Sequence, residues 1–70
     1  MKLTDTRRNA RMSQYDLSRA SGVPQSTIGH LESGAMDINK CAVATVARLA
    51  YALGVDITSI LEDGWDDGLN

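Results

Sequence analysis

The chain reads as an all-α protein, a compact five-helix domain, on three observations. Apolar residues recur at helical spacing, and β-branched residues never alternate with polar ones for long. The punctuation at Gly22-Val23-Pro24, Ser33-Gly34, Gly54 and Gly64 cuts the chain into short segments. With 70 residues there is room for one domain with a small core, so modest stability is expected.

The first segment covers residues 2–11. Leu3 and Ala10 lie on one face with Thr6 between them, a thin apolar stripe. Ser13 has the chemistry of a helix N-cap, and Asp16 three residues on completes a capping-box pattern. A second helix over Gln14–Ser21 follows, with Leu17 inward and Met12 as the staple residue ahead of the cap. Gly22 stops it as a left-handed C-terminal residue does. The third helix starts at Pro24, whose missing N–H is no loss in a first turn. It points Ile28 and Leu31 to the core and ends at Gly34. Residues 35–40 form a polar loop.

The fourth helix, residues 41–53, is apolar nearly all round and is expected to be covered on more than one side. Val43, Val46, Leu49, Ala50 and Leu53 are assigned to the core. Ala44, Ala47 and Tyr51 are left for a face that can meet another chain. Asp56 is read as the cap of a fifth helix, residues 57–62, with Ile60 and Leu61 inward. The domain is drawn at residues 1–62. A short acidic tail follows over 63–70, loose, with Trp65 and Leu69 folding back on the domain.

Composition narrows the function. Cys41 is the single cysteine, so no internal disulfide exists, which suits a reducing compartment. No apolar run has membrane-spanning length and residues 1–8 are polar, so a cytoplasmic protein without a membrane partner is expected. One His and one Cys make no structural zinc site. There is no nucleophile–base pattern and no phosphate-cradling glycine loop, so no enzyme activity, cofactor or metal is expected. The net charge of −2 argues against binding phosphate. Its distribution reverses the picture. Glu62, Asp63, Asp66 and Asp67 crowd the end of the chain, whereas residues 1–61 carry seven bases against five acids. Arg7, Arg8 and Arg11 cluster among those bases.

The informative feature is the pair of short helices joined by a glycine-containing turn. Close crossing needs a small residue, met by Ser18, and the turn needs positive φ, met by Gly22. Leu17, Val23, Ile28 and Leu31 have the spacing to lock the two helices together. Gln25, Ser26, Gly29 and His30 then form a polar outward edge. The run from Ser13 to Gly34, SQYDLSRASGVPQSTIGHLESG, resembles the helix-turn-helix of the Cro/repressor-type (XRE-like) regulators. The later run ARLAYALGV over residues 47–55 is similar to that family's fourth helix and its exit.

The resemblance implies a lambda-repressor-like DNA-binding fold in a transcriptional regulator, a repressor. Its partner would be double-stranded operator DNA, bound as a homodimer. By position it places the recognition helix at Gln25–Ser33. Gln25 becomes the main base reader, with Ser26, Gly29 and His30 as further base-edge contacts. Ser13, Gln14, Thr27, Arg8, Arg11 and Lys40 become phosphate contacts, and Gln14 also braces the first recognition residue. Arg7 and Glu32 match a family pair that forms a partly buried salt bridge. Tyr51, Ile57, Ile60 and Trp65 are the candidate dimer contacts.

Several positions depart from the family pattern. Ser18 and Ser21 stand where small apolar residues are usual, and Thr6 where a larger aliphatic is. Pro24 replaces a hydroxyl cap, Gly29 interrupts the recognition helix, and the loop at 35–40 is long and short of bases. A second function class stays open beside the first: an antitoxin-like or adaptor protein whose main role is to bind a partner protein.

Overall fold

The computed structural model of the protein describes residues 1–68. It contains four α-helices: α1 (Lys2–Asn9), α2 (Gln14–Ser21), α3 (Gln25–Ser33) and α4 (Val43–Leu53). Two 3-10 turns, Ile38–Lys40 and Ile57–Ser59, complete the described elements. The all-α class stands, but the count of five helices does not. The segment at 57–62 makes only a 3-10 turn. Asp56 gives no side-chain cap, and φ at Ile60 is −115°. The amide of Glu62, which a helix would use internally, instead donates to Asn39 Oδ1 at 2.9 Å.

The core joins all parts of the chain. Leu3, Leu17, Ile28, Leu31, Leu49 and Ile60 are fully buried, with Val23, Ile38, Val46 and Ala50 close behind. Apolar burial of this kind is the main favourable term in folding.

α1 ends at Asn9, not at residue 11. Its exit is a Schellman closure: Met12 N–H bonds Arg7 O at 3.2 Å and Arg11 N–H bonds Arg8 O at 2.9 Å. Arg11 takes the left-handed position at φ +58°. Ala10 is consequently exposed rather than on the apolar face.

Ser13 and Asp16 form a complete capping box at the head of α2, each side chain bonding the other's backbone N–H. Gly22 closes α2 at φ +75°. Both serines that depart from the family pattern serve the turn. Ser18 Oγ donates to Val23 O at 2.6 Å, and Ser21 Oγ accepts from Val23 N at 3.1 Å. Polar contacts thus satisfy the peptide groups on either side of a buried valine. Pro24 lies one residue outside α3 as its cap, with ψ 139°.

α4 starts at Val43 instead of residue 41, because Cys41 and Ala42 are extended. Its buried row is Val46, Leu49 and Ala50, with Leu53 half-buried against the core. Val43, assigned to the core from sequence, is 75% exposed. The supposed polar loop at 35–40 delivers Ile38 into the core, with Asp37 capping the turn through Asn39 N–H at 2.9 Å. The Asn39 side chain then holds both backbone groups of Glu62, its Nδ2 donating to the carbonyl at 3.1 Å. Residues 63–68 form turns, fastened at their start by Lys2 Nζ on Asp63 at 2.9 Å. Leu69 and the rest of the predicted tail lie outside the described residues.

Candidate nucleic-acid interface

The site is built on α3, which has two unlike faces. Its inner row, Ile28 and Leu31, has no exposed surface. Gln25, Ser26 and His30 are exposed on the other side, while Thr27 and Gly29 are half-exposed. Residues three apart share a helix face, so burial of 28 and 31 turns 26 and 30 toward solvent.

A polar clasp fixes α3 to its neighbours. Arg7 of α1 grips Glu32 through two parallel bonds, Nε to Oε2 at 2.7 Å and Nη2 to Oε1 at 2.9 Å. The fork geometry gives this pair direction as well as strength. Arg7 Nη1 also donates to Met12 O at 2.8 Å, so one side chain ties α1, the α1–α2 junction and α3. Both partners are nearly covered, at 10% and 8% side-chain exposure. Burial pushes the Glu32 carboxyl up, but bonds from Arg7, Gln14 and Thr4 and the Arg7 charge outweigh it. The net result lies below the ordinary carboxylate value. The Glu32 hydrogen bonds raise the Arg7 guanidinium further despite burial.

Gln14, at the head of α2, donates its amide to Glu32 Oε1 at 3.2 Å. The brace that the resemblance directs from Gln14 to Gln25 is thus made to Glu32 in the free protein. The cause is proximity to the clasp, where a charged acceptor outcompetes a neutral one. Gln14 Oε1 faces Gly29, and a Cβ built there would stand 3.8 Å from it, an ordinary contact. Ser13 Oγ is occupied as the cap of α2.

Charge around the site is largely unspent. Among the described residues the ion pairs are Arg7–Glu32 and Lys2–Asp63. Arg8, Arg11, Arg19, Lys40 and Arg48 therefore have no carboxylate partner among those residues, and all are exposed. The carboxylates of Asp16 and Asp37 already accept backbone N–H bonds, from Ser13 and Asn39.

A family model described as helix-turn-helix matches residues 4–60. This chain belongs to the Cro/XRE-like helix-turn-helix family. No curated protein and no solved structure matches it significantly. Its family is one of DNA-binding transcription regulators, not typically enzymatic, which makes double-stranded DNA the ligand class implied for this helix-turn-helix protein.

Among the described residues no group of three or more His, Cys, Asp or Glu side chains could hold a metal. No described helix is long and apolar enough to cross a membrane. A cavity of about 270 Å³ lies between Met1, Leu31, Met36, Ile38 and Glu62, and neither Gln25 nor His30 lines it. Of the residues assigned to a dimer surface, Ile60 is fully buried in the core and so cannot meet a second copy. Tyr51 is 89% exposed, Trp65 43% and Ile57 half-buried. Sequence reasoning missed Ile38, Asn39 and the Tyr15–Arg19 pair on α2. Ile38, the large aliphatic of a polar stretch following an Asp cap, was the one with a readable signal.

Proposed function

We propose that this protein is a sequence-specific transcriptional repressor that reads the major groove of operator DNA with α3, bound as a dimer. One observation carries the reading: Ile28 and Leu31 have no exposure, while Gln25, Ser26 and His30 stand exposed on the same short helix. A rigid helix with a polar outer edge is what the major groove admits. Gln25, the first residue of α3, presents an amide that pairs with both N6 and N7 of adenine. Ser26 and His30 add base-edge contacts, and Gly29 lets the backbone approach. Ser13, Gln14, Thr27, Arg8, Arg11 and Lys40 supply phosphate contacts. A helix of nine residues reads few base pairs, so useful specificity needs two half-sites and two copies. Tyr51, Ile57 and Trp65 are the surface offered to the second copy. Repression asks only that the operator be occupied.

The exposed α4 residues Val43 and Tyr51 favour the second reading, a protein that mainly binds a partner. One experiment separates the two. Sites selected from random DNA by the purified protein should be two-fold symmetric. Gln25→Ala should lose about 10- to 100-fold discrimination at one base position per half-site, with thermal unfolding unchanged. Enrichment of no site, or identical sites and affinities for Gln25→Ala, would overturn the proposal.

A further inference from the structure

α2 presents to solvent a pair of side chains that none of these roles uses. Arg19 stands one turn beyond Tyr15, its guanidinium carbon 5.8 Å from the ring centroid. Its Nη1 donates to the Tyr15 hydroxyl at 3.3 Å. Both residues are exposed, and Arg19 makes no ion pair among the described residues. The adjacent acid, Asp16, is committed to the Ser13 cap.

Their place on α2 follows from contacts already described. Gln14 bonds Glu32, while Ser18 and Ser21 bond the Val23 peptide groups, so the 14–18–21 row faces α3 and the turn leading into it. Leu17 is buried on the core side of that row. Successive residues turn by about 100° around a helix. Tyr15 and Arg19 therefore occupy the next row round on α2, on the side away from Leu17 and beside the row that meets α3.

We infer that the Tyr15–Arg19 pair is a phosphate clamp for the DNA strand bordering the groove that α3 reads. The inference rests on the reading of α3 given above. The ring contact and the hydroxyl bond bias the guanidinium toward one orientation, which lowers the side-chain freedom lost on binding. The donors not used on Tyr15 remain free, in the planar fork that matches phosphate oxygens. The Tyr15 hydroxyl accepts from Arg19, which leaves its own O–H to donate to the same phosphate. A pair that served only the helix would leave DNA affinity and its salt dependence unmoved.

The test compares wild type, Arg19→Ala, Arg19→Lys and Tyr15→Phe on the selected operator and on a random duplex between 50 and 200 mM salt. Arg19→Ala should weaken binding to both DNAs about tenfold at the lower salt. It should also reduce the slope of log K against log salt by about 0.9 per bound subunit. Arg19→Lys should keep the slope and recover part of the affinity. Tyr15→Phe should lose about threefold with the slope intact. If Arg19→Ala keeps the wild-type slope and random-duplex affinity while Gln25→Ala still relaxes sequence preference, the clamp is refuted and the reading of α3 survives. Failure of the wild type to bind any duplex overturns both.

Discussion

α3 and α4 are both short helices with one buried and one exposed row, yet they are held in different ways. α3 buries Ile28 and Leu31 and is also clasped by Arg7 and Gln14 at Glu32. α4 buries Val46, Leu49 and Ala50, and no side-chain hydrogen bond or ion pair among the described residues reaches it. Apolar contact is non-directional and lets a helix roll slightly at small cost. A two-pronged ion pair does not. The helix proposed to present Gln25 to DNA has the directional tie, and the helix that mainly fills the core has none among the described residues.

The comparison is tested hardest in the shared core. Leu31→Ala should cost about 3–5 kcal/mol, a large share of the stability of so small a domain, and Leu49→Ala about the same. Urea unfolding followed by circular dichroism checks both. Equal losses would show that the two helices draw alike on apolar burial and differ only in the clasp.

Breaking the clasp should come next. Arg7→Ala strands a nearly covered carboxylate and should cost about 2–3 kcal/mol. Adding Glu32→Leu should restore most of that loss, because the stranded charge goes with it. If the double variant is as unstable as the single one, the ion pair is not the source of the effect.

Acid should loosen the same joint. Glu32 titrates below its ordinary 4.5 in the folded protein, so folding favours its charged form. Its contribution is complete above about pH 4.5 and is lost as pH falls through the depressed folded value. Asp16 is lowered in the same direction by the Ser13 backbone and hydroxyl bonds. Melting temperature should therefore fall on acidification below about pH 4.5, and Glu32→Gln should flatten most of that slope. An unchanged acid limb in Glu32→Gln would remove the clasp from the account.

Smaller effects sharpen the contrast along α4 and α3. Val46→Ala should cost about 1–2 kcal/mol, and Val43→Ala, three residues away, should stay within about 0.5 kcal/mol. Gly29→Ala should stabilise α3 by up to about 1 kcal/mol, since the added methyl meets only Gln14 Oε1 at 3.8 Å. A loss of operator affinity in that same stabilised variant would mark Gly29 as a point of close approach to DNA.

The unit from Ser13 to Gly34 was readable from sequence because its signals are local. The Ser13–Asp16 box spans one turn, Gly22 stands at its own φ of +75°, and the spacing of Leu17, Ile28 and Leu31 follows from helical periodicity. The polar, exposed character of Gln25, Ser26 and His30 follows from that same periodicity. What sequence left open was decided between distant residues. Residues 57–62 form only a 3-10 turn because Asn39, 23 positions earlier, takes the amide of Glu62. Ile38 is buried although it lies in a polar stretch, and Val43, the first residue of α4, is exposed although it continues an apolar run. The binding of Gln14 to Glu32, and the lack of an acid partner for Arg19 among the described residues, were likewise beyond local pattern. Capping and periodicity act within a turn of helix, so the chain writes them directly. The partner of a side chain, and the edge of a core, exist only once the helices have packed.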